Sequence, residues 1–273
     1  INTFLIIWFL LMKTYHQDGN HRKSAFSGLQ KDYEAARPQY PLAALEIIKK
    51  RCPLPRLICD IGCGTGKLTR QLGALFPNTK ILGFDINADM VSTAKNAGGA
   101  KICYAVSPAE DLPLAEQSAD IITVAQAVHW FDRPAFFREA LRVLSPRGVL
   151  FLIENNRNWK RSAFLAGYED LLERLSPNYS RHYRGFDGAG EAKQAGFRHV
   201  TTKLYPWVRK ISSKSLEQMA RSSTRYQAAL NANPEASETA LNTLLSTNGD
   251  ANGQITVEYE TKVVSATLCS KPE

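Results

Sequence analysis

Hydrophobic residues and glycines follow one another in a regular order between residues 57 and 154, and this order predicts an α/β fold. An apolar run within residues 57–61 contains one acid and breaks at a series of glycines. Leu68, Leu72 and Leu75 then recur at helical spacing. This pattern is typical of a buried strand, a tight turn and the start of a helix.

The alternation of strand and helix continues along the chain. Short apolar runs predict four further strands, at residues 80–85, 101–106, 118–125 and 149–153. Apolar residues at helical spacing predict helices at residues 42–48, 90–94 and 136–144. Asn87 is placed to cap the second of these helices, and Pro146 and Gly148 close the third.

The pattern changes after Ile153. Helices are predicted at residues 164–175 and 216–230 with another short helix within 231–253, and strands at residues 200–208 and 255–268. The chain has 273 residues and 44% hydrophobic content, which suits one sizeable core. We therefore expect a single domain over residues 26–273, with cap elements from about 155–253.

The first residues form a separate segment. Residues 1–12 are apolar except for Asn2 and Thr3, but a membrane span needs about 20 such residues. The run also lacks the basic region and cleavage site of a signal peptide. We expect no membrane span, and interpret residues 1–25 as an extension or mobile N-terminal segment, with a genuine anchor as the alternative for the apolar run.

The glycine turn carries the first chemical signal. Its sequence is DIGCGTG, and Lys67 stands where the third glycine of a dinucleotide fingerprint belongs. The Walker pattern fails as well, because Leu68 follows Gly66-Lys67. The turn therefore indicates either a nucleotide-like cofactor or only a tight connection. Asp85 favours the cofactor, because an acid about 20 residues beyond such glycines can bind both hydroxyls of a ribose.

Five motifs occur in an order that resembles a known family. They are DIGCGTG, GFDIN, AEDLPL, SADIITVAQAVHWFD and REALRVLSPRGVLFLIE. Together they resemble class I S-adenosylmethionine-dependent methyltransferases. The upstream YEAARPQYP is similar to a segment of the small-molecule branch that includes trans-aconitate methyltransferase-like proteins. The resemblance covers roughly residues 26–154. It implies a Rossmann-like, doubly wound, seven-stranded, mostly parallel sheet with an antiparallel late strand and a helical cap insertion.

The resemblance also implies S-adenosylmethionine as the cofactor and a role for each matching residue. Asp60 would orient the methionyl amino group beside Gly62, Gly64 and Gly66, and Gln126 would face the methionyl end. Asp85 would bind the ribose, and Ile86 would pack on the adenine face. The remaining cofactor residues are Ala109 and Glu110 at the adenine edge, and Tyr33 and Arg37, which would close over the cofactor and pair with its carboxylate.

His129 is the candidate catalytic residue. An imidazole at this position can deprotonate a hydroxyl acceptor near neutral pH, donate a hydrogen bond to a carboxylate, or form the pocket wall with Trp130. Arg157 is a candidate for binding the substrate. The strand that precedes His129 is not followed by the [DNS]-P-P-[YF] loop associated with base or amide nitrogen methylation. DNA-adenine and glutamine targets are therefore disfavoured.

Charge and cysteine content narrow the partners. Residues 155–214 hold twelve basic and five acidic side chains, most of the formal net charge of +8. A basic lining of the acceptor pocket would favour an anionic acceptor, whereas a solvated basic face is the alternative. The basic residues are not grouped with aromatic residues, which disfavours nucleic acid. Five cysteines without a C-x-x-C pair suggest neither a disulfide framework nor a zinc site, and indicate a reducing compartment.

We therefore expect a cytoplasmic methyltransferase without a metal, whose partner is a small-molecule methyl acceptor. The expected reaction is O-methylation of an anionic or hydroxylated metabolite. C-methylation of a quinone- or sterol-like acceptor is the enzymatic alternative. A non-catalytic S-adenosylmethionine-binding protein and an RNA-binding protein remain as alternatives of another class.

Overall fold

A seven-stranded sheet forms the centre of the molecule. The computed structural model describes residues 38–99, 101–182 and 185–268. The strands are β1 (Leu57–Ile61), β2 (Lys80–Asp85), β3 (Ile102–Val106), β4 (Ala119–Ala125), β5 (Leu144–Arg157), β6 (Arg198–Ser212) and β7 (Gln254–Thr267). Their order is β3-β2-β1-β4-β5-β7-β6. Strands β1 to β5 run parallel, and β7 is antiparallel to both of its neighbours. The predicted Rossmann-like sheet is thereby confirmed.

Helices cover both faces of this sheet. They are α1 (Leu42–Arg51), α2 (Lys67–Leu75), α3 (Ala88–Ala97), α4 (Arg133–Val143), α5 (Ala163–Leu175), α6 (Gly188–Gln194), α7 (Ser213–Arg221), α8 (Thr224–Ala232) and α9 (Pro234–Asn248). The predicted cap of α3 is confirmed, because the Asn87 side chain accepts hydrogen bonds from two backbone N–H groups of the first turn.

Alternate residues of the buried strands face two different cores. Cys59 and Ile61 pack in the core that includes α4, whereas Ile58 faces the core that α1 and α2 cover. A third core gathers α5, α7 and α9 over the ends of β6 and β7. This third cluster, which we call the late-helix cluster, lies beside the carboxyl end of β5.

The late region departs from the sequence prediction in its element boundaries. The helix predicted at residues 216–230 is two helices, because Ser222 is fully buried and its hydroxyl donates to the carbonyl of Met219. Such a local bond competes with the helical backbone bonds. The break brings the start of α8 to the edge of the sheet. The short helix predicted within residues 231–253 is the fifteen-residue α9.

Strand lengths also differ from the prediction. Strand β5 starts at Leu144, predicted as helical, and continues beyond Ile153 to Arg157. Pairing with β7, which reaches Tyr259, supports this extension. Strands β6 and β7 are adjacent and antiparallel, but α7, α8 and α9 connect them. Among the described residues, no helix is long and apolar enough to cross a membrane.

Candidate functional site

One cleft lies at the carboxyl ends of the central strands. Its walls come from the residues that follow β1, β2, β3 and β4, from the end of β5, and from the α7–α8 connection. Ligands of open α/β sheets bind at this edge, where the strand order reverses. Here β1 and β4 are neighbours whose chain connections run in opposite directions along the sheet.

The glycine turn forms the floor of the cleft. Gly62, Gly64 and Gly66 all have positive φ, at 68°, 55° and 80°. A Cβ at Gly62 would lie 2.5 Å from Cβ of Ala127, whereas one at Gly64 would have no atom within 4 Å. Gly64 therefore exposes its backbone to the open cleft. Gly66 lies against Tyr104 and is not among the lining residues.

Asp60 lies beneath this turn at the end of β1. It is 1% exposed, and its two oxygens accept hydrogen bonds from the hydroxyls of Thr69, at 2.6 Å, and Thr123, at 2.8 Å. Burial raises the pKa of the Asp60 carboxyl to about 6. The two threonine bonds fix the orientation of the carboxylate, which lines the cleft.

Asp85 joins the glycine turn to the end of β2. One carboxylate oxygen accepts from the backbone N–H of Gly64 at 2.8 Å, and the other accepts from the N–H of Asn87 at 2.9 Å. Burial raises the pKa of this carboxyl above its usual value. Ile86 follows directly, and both residues line the cleft.

Ala109 and Glu110 reach the cleft on the loop after β3. A carboxylate oxygen of Glu110 accepts from the backbone N–H of Asp132 at 2.7 Å. No sequence motif marks the residues that hold this loop in place. They lie in α4, where Glu139 accepts from the N–H of Leu112 and Arg142 donates to the carbonyls of Leu112 and Leu114.

Gln126 lines the cleft directly after β4. Its φ is +57°, in the left-handed region that non-glycine residues rarely adopt. Its side-chain Nε2 donates to the carbonyl of Asn155 at 2.7 Å. Its Oε1 is buried and accepts no hydrogen bond from any described residue. A fixed, strained amide at a cleft is typical of a functional position.

His129 and Trp130 follow in a short 3₁₀ helix, Val128–Trp130, and both line the cleft. Their ring centroids are 5.4 Å apart. The imidazole Nδ1 is buried. The structure therefore brings the candidate catalytic residue to the same cleft as the predicted cofactor residues.

The far wall of the cleft comes from β5, β7 and α8. Arg157 lines it, but its guanidinium pairs with the buried Glu169 at 2.8 Å and lies 5.0 Å from the ring centroid of Tyr168. Sequence reasoning missed the other residues of this wall, because they come from late elements whose boundaries differ from the predicted ones. These are Asn155, Met219, Ser223, Thr224, Arg225 and Tyr259.

Most of the predicted site residues thus meet at one place. Asp60, Gly62, Gly64, Asp85, Ile86, Ala109, Glu110, Gln126, His129, Trp130 and Arg157 all line the cleft. Tyr33 and Arg37 lie outside the described residues. Within the described residues, no group of three or more His, Cys, Asp or Glu side chains is arranged to hold a metal ion.

Comparisons with known proteins identify a family and several relatives that this chain resembles. Residues 59–152 match the family described as "Methyltransferase domain". A protein named as a methyltransferase in Dictyostelium discoideum is 29% identical over 240 residues, which is 83% of this chain and 88% of that protein. The ubiquinone biosynthesis O-methyltransferase of Xanthomonas oryzae pv. oryzae is 31% identical over 166 residues, which is 56% of this chain and 68% of that protein.

A solved structure from Anaeromyxobacter dehalogenans, of a protein named as a type II methyltransferase, has a TM-score of 0.68 and 22% identity. The match covers 86% of this chain and 99% of that structure. At this identity the likeness is one of fold. The cleft suits the family's cofactor, because Gly64 leaves open space beside two acids that can face a cationic, ribose-bearing ligand. The chain belongs to the class I S-adenosylmethionine-dependent methyltransferases.

Proposed function

We propose that this enzyme methylates an oxygen of a small anionic or hydroxylated metabolite, as a member of the branch that includes trans-aconitate methyltransferase-like proteins. One observation carries the proposal. The acids of the described cleft lining, Asp60, Asp85 and Glu110, all lie on the β1–β2–β3 side, where they outnumber one lysine, Lys67. Two arginines, Arg157 and Arg225, lie on the β5–α8 side. A cationic cofactor suits the first side, and an anionic acceptor suits the second.

The proposed cofactor roles follow the cleft from end to end. Bound S-adenosylmethionine supplies a methyl group on a cationic sulfur, and its transfer breaks the S–C bond, forms an O–C bond and leaves the electron pair on sulfur. Asp85 binds the ribose hydroxyls, Ile86 packs on the adenine, and Ala109 and Glu110 meet its edge. Asp60 orients the amino group. Gln126 faces the methionyl end, and Tyr33 and Arg37 close over the cofactor and pair with its carboxylate.

The remaining chemistry consists mainly of positioning, because the acceptor oxygen must lie in line behind the methyl carbon. A carboxylate acceptor is already ionised at neutral pH and needs no base. A hydroxyl acceptor must lose its proton, and His129 is the titratable side chain beside Gln126 that can take it. Trp130 then serves as an apolar wall that limits the access of water.

Two observations support oxygen over carbon as the methylated atom. The Xanthomonas relative is named as an O-methyltransferase. A quinone- or sterol-like acceptor would also call for a more apolar wall than Asn155, Arg157 and Arg225 provide.

The test combines binding, turnover and product chemistry. The purified chain is titrated with S-adenosylmethionine by calorimetry, with an Asp85→Ala variant as the control expected to lose binding. Formation of S-adenosylhomocysteine is then measured with trans-aconitate, glutarate, 4-hydroxybenzoate and a panel of hydroquinones. We expect methyl esters, which alkali cleaves, or methyl ethers. Absence of cofactor binding, or products methylated only at carbon, would contradict the proposal.

The role of His129 is tested in the same assay. We expect His129→Ala to lower turnover of a hydroxyl acceptor by about 10²- to 10⁴-fold, the usual contribution of general base catalysis, and to spare a carboxylate acceptor. Equal loss with both acceptors would indicate an orienting role for His129. Unchanged activity with both would leave it only as pocket wall.

A further inference from the structure

Asn155 contributes more to the cleft than a polar surface. It lies near the carboxyl end of β5, its side chain lines the cleft, and it is 9% exposed. Alternate residues of a strand face opposite sides, so Asn155 and Arg157 share the cleft face whereas Asn156 faces away from them. Asn156 is correspondingly not among the lining residues.

A chain of hydrogen bonds fixes the Asn155 amide from behind. The indole Nε1 of Trp207 donates to the hydroxyl oxygen of Thr261 at 2.8 Å. That hydroxyl donates to Oδ1 of Asn155 at 2.5 Å, and both groups are buried. Trp207 and Thr261 lie on β6 and β7, so the sheet itself holds the chain of bonds in place.

The chemistry of these groups sets the direction of the amide. An indole N–H only donates, and it therefore uses an oxygen lone pair of Thr261. The Thr261 hydroxyl proton then needs an acceptor, and Oδ1 of Asn155 is the acceptor beside it. With Oδ1 turned to Thr261, the Nδ2 donor must point the other way. The hydrogen bonds of Asn155 to described side chains are the one from Thr261 to Oδ1 and the one from Gln126 to the backbone carbonyl, and neither uses this Nδ2.

The backbone of Asn155 is held as well. Its carbonyl accepts from Nε2 of Gln126 at 2.7 Å, which ties the residue to the end of β4. The charged groups nearby favour an anion. Arg225 and Arg157, which also pairs with the buried Glu169 behind the wall, belong to the same wall, and among the described lining residues this wall carries no Asp or Glu.

We propose that Asn155 Nδ2 donates a hydrogen bond to a carboxylate oxygen of the methyl acceptor, and so helps to determine its specificity. Thr261 is a positioning residue, because it acts on the acceptor only through the Asn155 amide. The assignment rests on the proposed function, since it takes the β5–α8 side of the cleft as the acceptor side. It narrows the acceptor to a molecule that carries a carboxylate.

The test compares acids with their neutral amides, which have nearly the same shape. The full chain, saturated with S-adenosylhomocysteine, is titrated with glutarate against glutaramide, and with 4-hydroxybenzoate against 4-hydroxybenzamide, by calorimetry. We expect the acid of at least one pair to bind ten-fold or more tightly than its amide. Equal affinity, or no measurable affinity, in both pairs overturns the proposal.

Substitutions at Asn155 and Asn156 test whether Asn155 causes the tighter binding of the acid. Asn155→Asp keeps the shape but replaces the donor by a negative charge, and we expect the affinity for the acid to fall about 100-fold or more. Asn156→Asp adds the same charge on the other face of the strand, and is the matched control expected to keep the preference. Loss of the preference in both variants, or in neither, overturns the assignment.

Variants of Thr261 test whether its hydroxyl positions the Asn155 amide or has only a structural role. Thr261→Val removes the hydroxyl and frees the amide to turn, so we expect about ten-fold weaker binding of the acid. Thr261→Ser keeps the hydroxyl and is expected to restore binding. If the valine and serine variants bind alike, Thr261 does not position Asn155. The affinity of each variant for S-adenosylhomocysteine is measured as the reference, and we expect it to change less than two-fold.

Failure of this inference can be told apart from failure of the proposed function. A protein that binds 4-hydroxybenzamide as tightly as 4-hydroxybenzoate and methylates the hydroxyl of both retains O-methylation but not the Asn155 assignment. A protein that prefers acids through Asn155 but methylates carbon retains the assignment and contradicts O-methylation.

Discussion

Asp60 illustrates at the residue scale how a binding group can oppose folding. The carboxyl is 1% exposed, and burial raises its pKa from 3.8 to about 6 despite the two threonine hydroxyls. Between these two pH values, the folded protein holds a proton that the unfolded chain has released. The free energy of unfolding therefore falls as the pH rises through this window, and the loss is complete above about pH 6.

We predict that Asp60→Asn stabilises the protein most at high pH, because the variant carries no buried charge. The gain in free energy of unfolding should be about 1 kcal/mol larger at pH 8 than at pH 5, and urea unfolding at the two pH values measures it. Binding of the cationic cofactor should weaken in the same variant.

Asp120 provides a control of opposite sign. Hydrogen bonds from Arg56, Ser145 and the backbone hold the pKa of its carboxyl below its usual range, although partial burial opposes them. Asp120→Asn should therefore destabilise the protein at pH 8, and less so as the pH falls below 4. A gain for Asp60→Asn that does not depend on pH would contradict the explanation by burial.

Individual residues of the site could be predicted from the sequence only in part. Residues adjoining a motif could be predicted, because the glycine turn and strand ends fix their place. Asn155, Arg225 and Glu139 could not, since their positions depend on contacts between distant parts of the chain. Nothing local marks an asparagine whose orientation is set by a threonine 106 residues away.

At the scale of elements, the βα turn combines two different requirements for glycine. Gly62 needs positive φ and also close packing, because a Cβ would lie 2.5 Å from Ala127 and 3.1 Å from the Phe131 ring. Gly64 needs positive φ, but a Cβ there would point into open space. One position thus serves the fold, and the other serves the ligand.

We predict that alanine substitutions separate these requirements. Gly64→Ala should cost about 1 kcal/mol of stability, the usual strain of a left-handed residue, and should weaken cofactor binding strongly because the methyl group enters the cleft. Gly62→Ala should cost roughly 2–4 kcal/mol, since overpacking adds to the same strain. Urea unfolding and calorimetry of each variant measure the two effects. Equal losses of stability would contradict the packing difference.

Element types were predicted well between residues 57 and 154, because each apolar run there forms one strand or one helix. Boundaries were predicted poorly in the late region, for physical reasons. Strand β5 continues to Arg157 only because β7 extends beside it. The α7–α8 break depends on the buried hydroxyl of Ser222, which sequence periodicity does not detect. Because the α7–α8 break was not predicted, neither the start of α8 nor Arg225 was assigned to the cleft.

At the scale of the whole molecule, the charge surplus does not explain the polarity of the cleft. Of the basic residues within 155–214 that the structure describes, only Arg157 lines the cleft. Others pair with acids elsewhere, as Arg161 does with Glu258 and Arg181 with Glu173. The anionic preference that we propose thus depends on a few placed side chains rather than on net charge.

The pair of Arg157 and Glu169 connects the cleft wall to the late-helix cluster. Glu169 lies in α5 and is 3% exposed, and its second oxygen accepts from the hydroxyl of Tyr179. Removing the charge of a buried partner leaves the other charge uncompensated, which costs far more than breaking an exposed pair. Arg221 and Glu238 form a more exposed ion pair, which joins α7 to α9. Both side chains are 37% exposed.

We predict that Glu169→Gln lowers the free energy of unfolding by about 2 kcal/mol, whereas Glu238→Gln lowers it by less than about 1 kcal/mol. Urea unfolding at neutral pH measures both. Because Arg157 loses its anchor only in the first variant, only that variant should also bind carboxylate probes more weakly. Equal costs in the two variants would mean that the buried pair does not hold the late-helix cluster against the cleft. A stability loss in Glu169→Gln with unchanged binding would instead separate Arg157 from acceptor recognition and leave that role to Asn155 and Arg225.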